Sequence, residues 1–286
     1  MDQRGAALTD RTPDAAGRRR PNALPWPLVP TLAAAPVIGL ALFYVWPFVT
    51  LVARGLTPSA IGDTLGDSLT WDVLWFTTWQ ALLSTVLTVL IGLPPAYVFA
   101  RYRFAGRRLI DAGLAAMFVL PTVVMGAAML ALLPASLERG VVAILAAHVT
   151  FNLAVVVRTV GAVLAATPRD REGAAATLGA SPWRAFVTVT LPALRPALFA
   201  AAAIVFVFTF TSFGVIRVVG TVRQSTLEVE IWRQATQFGD IGGAAVLTIV
   251  QLLVVAAAVA ATKRLGRRRG AAGDQQQRRA VRVDEQ

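Results

Sequence analysis

Apolar residues run through this chain in stretches long enough to leave it few ways to fold. Between residues 28 and 261 several runs reach the roughly 20 residues that a helix needs to cross about 30 Å of hydrocarbon. The 286-residue chain is 56% hydrophobic, with a mean hydropathy of +0.62, against about 45–50% apolar residues in an ordinary soluble domain. The expected fold class is an all-α polytopic membrane protein with about six transmembrane helices.

The spans are expected near Leu28–Ala53, Val73–Ala100, Leu109–Leu133, Val141–Ala165, Leu194–Val219 and Ile241–Ala261. Pro36 and Pro47 are expected to kink the first, Pro94-Pro95 to break the second near its end, and Pro121 to interrupt the third. Arg54–Trp71, with its Gly, Pro and Asp, reads as a loop, and Pro134–Gly140 as a short connection. Gly220–Asp240 reads as a polar segment with room for a short amphipathic helix. Residues 26–262 form one transmembrane domain. The basic tails 1–25 and 263–286 are expected to be disordered. Arg18-Arg19-Arg20 before an apolar run imitates a signal peptide, but the run is too long for a signal h-region and reads as an uncleaved first span.

A net charge of +11 would suit a nucleic-acid partner. The distribution argues for the lipid bilayer instead, and for no nucleic acid. Twenty-one of the 27 Lys and Arg fall in the two tails, the 101–108 stretch and the 167–195 stretch. The positive-inside rule places these in the cytoplasm, giving a multi-pass protein of the cell membrane with both termini cytoplasmic. No cysteine is present, which removes disulfides and thiolate metal sites. No G-x-x-x-x-G-K-[S/T] phosphate loop occurs, and His148 is the only histidine. The chain is therefore expected to hydrolyse no ATP, to hold no metal and no cofactor of its own, and to lack the paired groups of an intramembrane enzyme.

One polar stretch, residues 166–192, interrupts the apolar pattern. Ala174 to Leu178 are mostly strong helix formers. Gly179 suits the positive φ that ends such a helix, and Ser181 with Pro182 suits the cap and first position of a second one. Two short helices with a turn between them follow.

This stretch resembles the cytoplasmic coupling loop of binding-protein-dependent ABC importer permeases, whose pattern is Glu-Ala-Ala, three residues, Gly, nine residues, Ile-x-Leu-Pro. Ala174, Ala175 and Gly179 fall in place, followed by Val189, Leu191 and Pro192. The family's Glu position holds Gly173, and the acid sits one residue earlier at Glu172. The motif occurs once, as in a single permease unit; a membrane anchor or receptor subunit would not require its spacing. Ala147-His148-Val149-Thr150-Phe151-Asn152-Leu153, Ser212-Phe213-Gly214 and Ser225 to Ile231 are similar to stretches of thiamine and iron(III) importer permeases. The resemblance implies a type I importer permease working as a homodimer or heterodimer. It implies ABC ATPase subunits that use ATP, and a periplasmic or lipid-anchored substrate-binding protein. Thiamine is the leading substrate, with iron(III), an aminophosphonate or a polyamine as alternatives. Glu172, Ala174, Ala175, Gly179, Ser181, Leu191 and Pro192 would form the ATPase-coupling loop.

Polar groups inside spans are costly and face the bundle interior or a cavity. His148 and Asn152 share a helix face. They line a translocation path or hydrogen-bond between helices. Trp79 and Gln80, with Trp75, Phe76 and Ser84, form either an interfacial anchor or a surface for an aromatic cation. Thr209, Thr211 and Ser212 let helices approach closely or line a cavity. Glu228, Glu230 and Arg233 form a solvated outer face or contact a docking binding protein.

Overall fold

The computed structural model describes residues 28–168, 170–221 and 223–283, in two units divided along the chain after Leu51. The first unit holds α1 (Leu28–Leu40), a π-helical turn at Ala41–Val45 and the start of α2 (Trp46–Gly55). Helix α1 runs through Pro36. Pro47 lies just after the π turn, where the Trp46 N–H donates to the Ala41 carbonyl. A proline ring crowds the carbonyl four residues before it, and the wider turn moves that carbonyl aside. The same arrangement recurs before Pro192, where Phe186–Thr190 is π-helical and the Leu191 N–H donates to the Phe186 carbonyl.

The second unit contains, in chain order, α3 (Pro58–Gly66), α4 (Ser68–Arg101), α5 (Arg107–Val119), α6 (Thr122–Leu132), α7 (Val141–Ala166), α8 (Asp170–Thr177), α9 (Pro182–Ala185), α10 (Leu191–Phe210), α11 (Gly214–Val219), α12 (Leu227–Arg233) and α13 (Ile241–Val283). Among the described residues five helices are long and apolar enough to cross a membrane, and a sixth crossing results if α5 and α6 count as one. Helices α5 and α6 meet at Pro121 with a bend of 112°, so the third span is sharply folded.

Helices α4 and α7 form the centre of this unit and run parallel. Ser84 meets His148, Gly92 meets Val156, and Ala96 meets Gly161. The buried face of α4 is built from small and polar residues, among them Ala81, Ser84, Thr88, Gly92 and Ala96. Such residues let membrane helices approach closely, and a Cβ on Gly92 would lie 2.8 Å from Val156. Leu82, Val86, Leu90 and Ile91 on the other side are exposed, as a lipid-facing surface requires. Helix α10 packs against both α4 and α7. Helix α11 packs on α6, where Gly214 leaves no room for a Cβ beside Thr122 and Val123.

Several expectations need correction. Pro94 and Pro95 do not break α4, which continues to Arg101; the packing of Gly92 and Ala96 on α7 holds the helix together past the missing N–H groups. Arg54–Trp71 is mostly helical, because Thr57 caps α3 with Pro58 at its first position and Asp67 caps α4. The fifth span neither starts at Leu194 nor reaches Val219. It forms part of a 29-residue helical run, Pro182–Phe210, and breaks at Thr211–Phe213 before α11. The tail from 263 continues α13 to Val283, in a stretch with no proline and many of the good helix formers Ala, Arg and Gln. The 1–25 tail and residues 284–286 lie outside the described residues.

Candidate functional site

Two groups of residues stand out, one on the 166–192 segment and one within the bundle. The turn and caps of the segment form as its sequence predicts, but its second helix is not short: it continues from Pro182 into α10. Helix α8 ends at a turn in which the Gly179 N–H donates to the Ala176 carbonyl and the Ala180 N–H to the Ala175 carbonyl. Gly179 has φ +82°. This double bond pattern around a left-handed glycine satisfies the last carbonyls of a helix. The Ser181 hydroxyl then accepts from the Arg184 N–H and starts α9, with Pro182 at its first position. Leu178 projects from the turn, 89% exposed, beside the exposed Gly179. Ala174 is exposed and Ala175 half-buried.

Glu172 anchors this segment. Its Oε1 lies 3.3 Å from Arg101 Nη2 and accepts a 2.5 Å hydrogen bond from the Thr190 hydroxyl. Arg101 also donates to the Thr167 carbonyl at 3.0 Å, and its side chain is only 6% exposed. The end of α4, the end of α7, helix α8 and the π turn leading into α10 are thus joined through one ion pair, Arg101 with Glu172. Leu191 and Pro192 follow directly, half-buried at the start of α10. In the sequence Arg101 counts only as a topology charge. The hydroxyl of Thr190, one residue before Leu-Pro, is the sequence signal for this contact.

The second group is a buried polar seam. The His148 ring nitrogens lie 3.0 Å from Ser84 Oγ and 2.9 Å from Ser212 Oγ. Hydroxyls donate or accept, so either tautomer is satisfied. Gln80 Nε2 donates to the Thr209 carbonyl, and the Thr209 hydroxyl reaches the Val205 carbonyl. The Thr226 hydroxyl donates to the Ser212 carbonyl, and the Leu227 N–H to Thr77 Oγ1. The seam therefore closes the break after α10 onto α4 and α7. Thr211 is half-buried and donates to the Val207 carbonyl. Asn152 Nδ2 donates to the His148 carbonyl. Gln80 Oε1 and Asn152 Oδ1 are buried acceptors without a partner among the described residues. His148→Ala would strand two buried hydroxyls. It is expected to lower stability by about 1–2 kcal/mol, given rebonding within each helix. A thermal melt of the purified variant that matches wild type would show that the bridge contributes nothing.

Other candidates separate. Trp79 packs edge-on against Phe76, with ring centroids 5.5 Å apart, and joins the core, whereas Trp75 is exposed as an anchor would be. Glu228, Glu230 and Arg233 do not form a solvated face. Glu230 is buried and accepts from Arg233 and Gln234, both at 3.0 Å, while Glu228 accepts from Gln251 at 2.7 Å. Their position in a polar segment concealed that α12 turns this side toward its own chain. Arg158 pairs with Asp111 of α5 at 3.2 Å. No group of three possible metal ligands occurs among the described residues.

Comparison with known proteins places this geometry. The family described as "Binding-protein-dependent transport system inner membrane component" matches residues 88–270. The thiamine transport system permease protein ThiP of Salmonella typhimurium is 32% identical over 255 residues, covering 82% of this chain and 46% of that protein. The sulfate transport system permease protein CysT of Escherichia coli is 31% identical over 187 residues, covering 60% of this chain and 68% of that protein. The chain thus spans about half the length of the thiamine permease it matches. In fold it is similar to a chain of a bacterial ABC transporter that imports alginate. The TM-score is 0.70 at 14% identity, covering 85% of this chain and 96% of that one. A chain of the MetNI methionine ABC transporter gives a TM-score of 0.56 at 19% identity, covering 77% and 97%.

Proposed function

We propose, from the premise that the chain belongs to the family of binding-protein-dependent transport system inner membrane components, that it is a permease unit of an ATP-driven importer, and that its solute is thiamine. The observation that carries the transport mechanism is the continuity of the Pro182–Phe210 run. Its first turns lie beside the exposed Leu178–Gly179 turn, and its last turn holds Thr209 in the buried seam. At 1.5 Å per residue, such a helix is about 40 Å long. An ATPase subunit that grips the 166–192 segment moves the far end of that rod. Because Glu172 ties the segment to α4 and to the π turn, the displacement is shared between helices rather than absorbed in the loop.

On this reading a second permease unit completes the pore, ATP is hydrolysed by separate ATPase subunits, and a substrate-binding protein delivers solute at the opposite end. The 166–192 segment faces the cytoplasm, consistent with its arginines. Gln80, Ser84, His148, Asn152, Thr209 and Ser212 would meet the solute when the bundle opens. Gln80 Oε1 and Asn152 Oδ1 offer acceptors. Thiamine carries N–H donors that would satisfy them, and it is an aromatic cation, suited to nearby Trp79.

Sulfate is the second reading, favoured by the likeness to the sulfate permease. It brings acceptors only and would leave those oxygens unpaired. Uptake of labelled thiamine and labelled sulfate, measured in cells with and without this chain, separates the two. Loss of thiamine uptake alone is expected. Loss of sulfate uptake alone would overturn the substrate and leave the permease role intact.

A further inference from the structure

Lined by none of the residues that form the two groups described above, a cavity of about 870 Å³ opens where α4 ends, α5 begins and α7 passes. Its wall includes Phe99, Phe104, Leu109 and Val157, and four arginines reach it: Arg103, Arg107, Arg108 and Arg158. One carboxylate, Asp111, is present and is engaged by Arg158. Arg107 lies over the Phe99 ring at 5.7 Å and donates to the Tyr102 carbonyl. Arg103 and Arg108 are exposed and have no acidic partner among the described residues. Phe99 and Phe104 meet edge to face at 5.5 Å and form an apolar floor.

The depth of this cavity is set by the helices around it. Helix α4 stops at Arg101 and α5 starts at Arg107, so the arginines stand at the end of the hydrocarbon-crossing segments. His148 in the polar seam lies ten residues before Arg158 on α7, about 15 Å along the helix. The cavity is therefore distinct from the seam. An apolar floor beneath a cationic rim, at the level where spans end, fits a ligand with the same division: an anionic phosphate joined to hydrocarbon. Basic pockets between helices at the membrane surface recognise lipid headgroups in this way, and the planar guanidinium fork matches a phosphate's paired oxygens.

We propose that this cavity binds the phosphate of an anionic phospholipid, with Arg103 and Arg108 as its principal ligands and Phe99 and Phe104 against the acyl chains. The site needs no transported solute and stands or falls independently of the thiamine reading.

The test uses the full chain purified in neutral detergent and titrated with phosphatidylglycerol or phosphatidylcholine. Retained lipid is counted by native mass spectrometry. Phosphatidylglycerol is expected to bind at least about tenfold more tightly. Arg103→Gln with Arg108→Gln is expected to bring it to the phosphatidylcholine level, while Arg54→Gln with Arg223→Gln, an equal loss of charge elsewhere, keeps the preference. Equal losses in both double variants, or no preference in the wild type, would overturn the site. Millimolar inorganic phosphate that displaces the lipid completely would overturn the lipid as its occupant and leave a site for free phosphate.

Discussion

A Gly179→Asp variant is expected to insert and fold normally and to lose most of its uptake, by about thirtyfold or more, whereas Gly179→Asn keeps most of it. A Cβ at Gly179 would meet nothing within 4 Å, so packing does not oppose either change. The cost in the fold is the left-handed backbone at φ +82°, which Asn and Asp tolerate better than other residues. The two side chains have nearly the same shape and differ in charge. Beside Leu178, which is 89% exposed and touches little of its own chain, a carboxylate would enter whatever surface covers that leucine. An uncompensated charge at the centre of an interface costs more than about 2 kcal/mol, the scale of a hot spot. Uptake in cells, set against the amount of inserted protein, checks it. Wild-type uptake in the Asp variant would remove the coupling role from this turn.

The parts of this molecule that were legible in the sequence are those decided within a few residues. Helix α7 differs from its expected span by one residue at its end, because nothing between Val141 and Ala166 interrupts the apolar run. The turn at Gly179 and the cap at Ser181 followed from local chemistry alone. Local signals also misled where packing prevailed. Pro94 and Pro95 are helix breakers in isolation, yet α4 continues because Gly92 and Ala96 seat it against α7. The break at Thr211–Phe213 has no proline to mark it; hydrogen bonds with Thr226 and His148 hold Ser212 there, and those partners lie 14 and 64 residues away. In the sequence Glu230 reads equally as a solvated residue or a docking contact, because nothing in its neighbourhood shows that α12 folds back on α13. Thr57-Pro58 and Asp67-Ser68 were readable caps that the polar composition of the segment outweighed.

Moving the acid from 172 to 173, by Glu172→Gly with Gly173→Glu, restores the spacing usual in the family and is nevertheless expected to impair this chain as severely as Glu172→Ala. Successive residues on a helix point about 100° apart. From position 172 the carboxylate reaches Arg101 and the Thr190 hydroxyl. Gly173 is exposed, and a Cβ there meets nothing within 4 Å, so a glutamate is accepted but directed elsewhere. Arg101, with its side chain 6% exposed, then loses the Glu172 carboxylate. Truncating one partner of a buried pair costs about 3–5 kcal/mol; with Glu172 itself 25% exposed, about 2–3 kcal/mol is expected. The thermal midpoint should fall by several degrees, and uptake should fall with it as the 166–192 segment loses its hold on α4 and α10. Because the pair acts as a unit, Arg101→Ala added to Glu172→Ala should cost much less than the two single effects together. Full additivity in that cycle, or recovery of stability and uptake in the swapped variant, would show that the carboxylate at 172 does not join the segment to the helices.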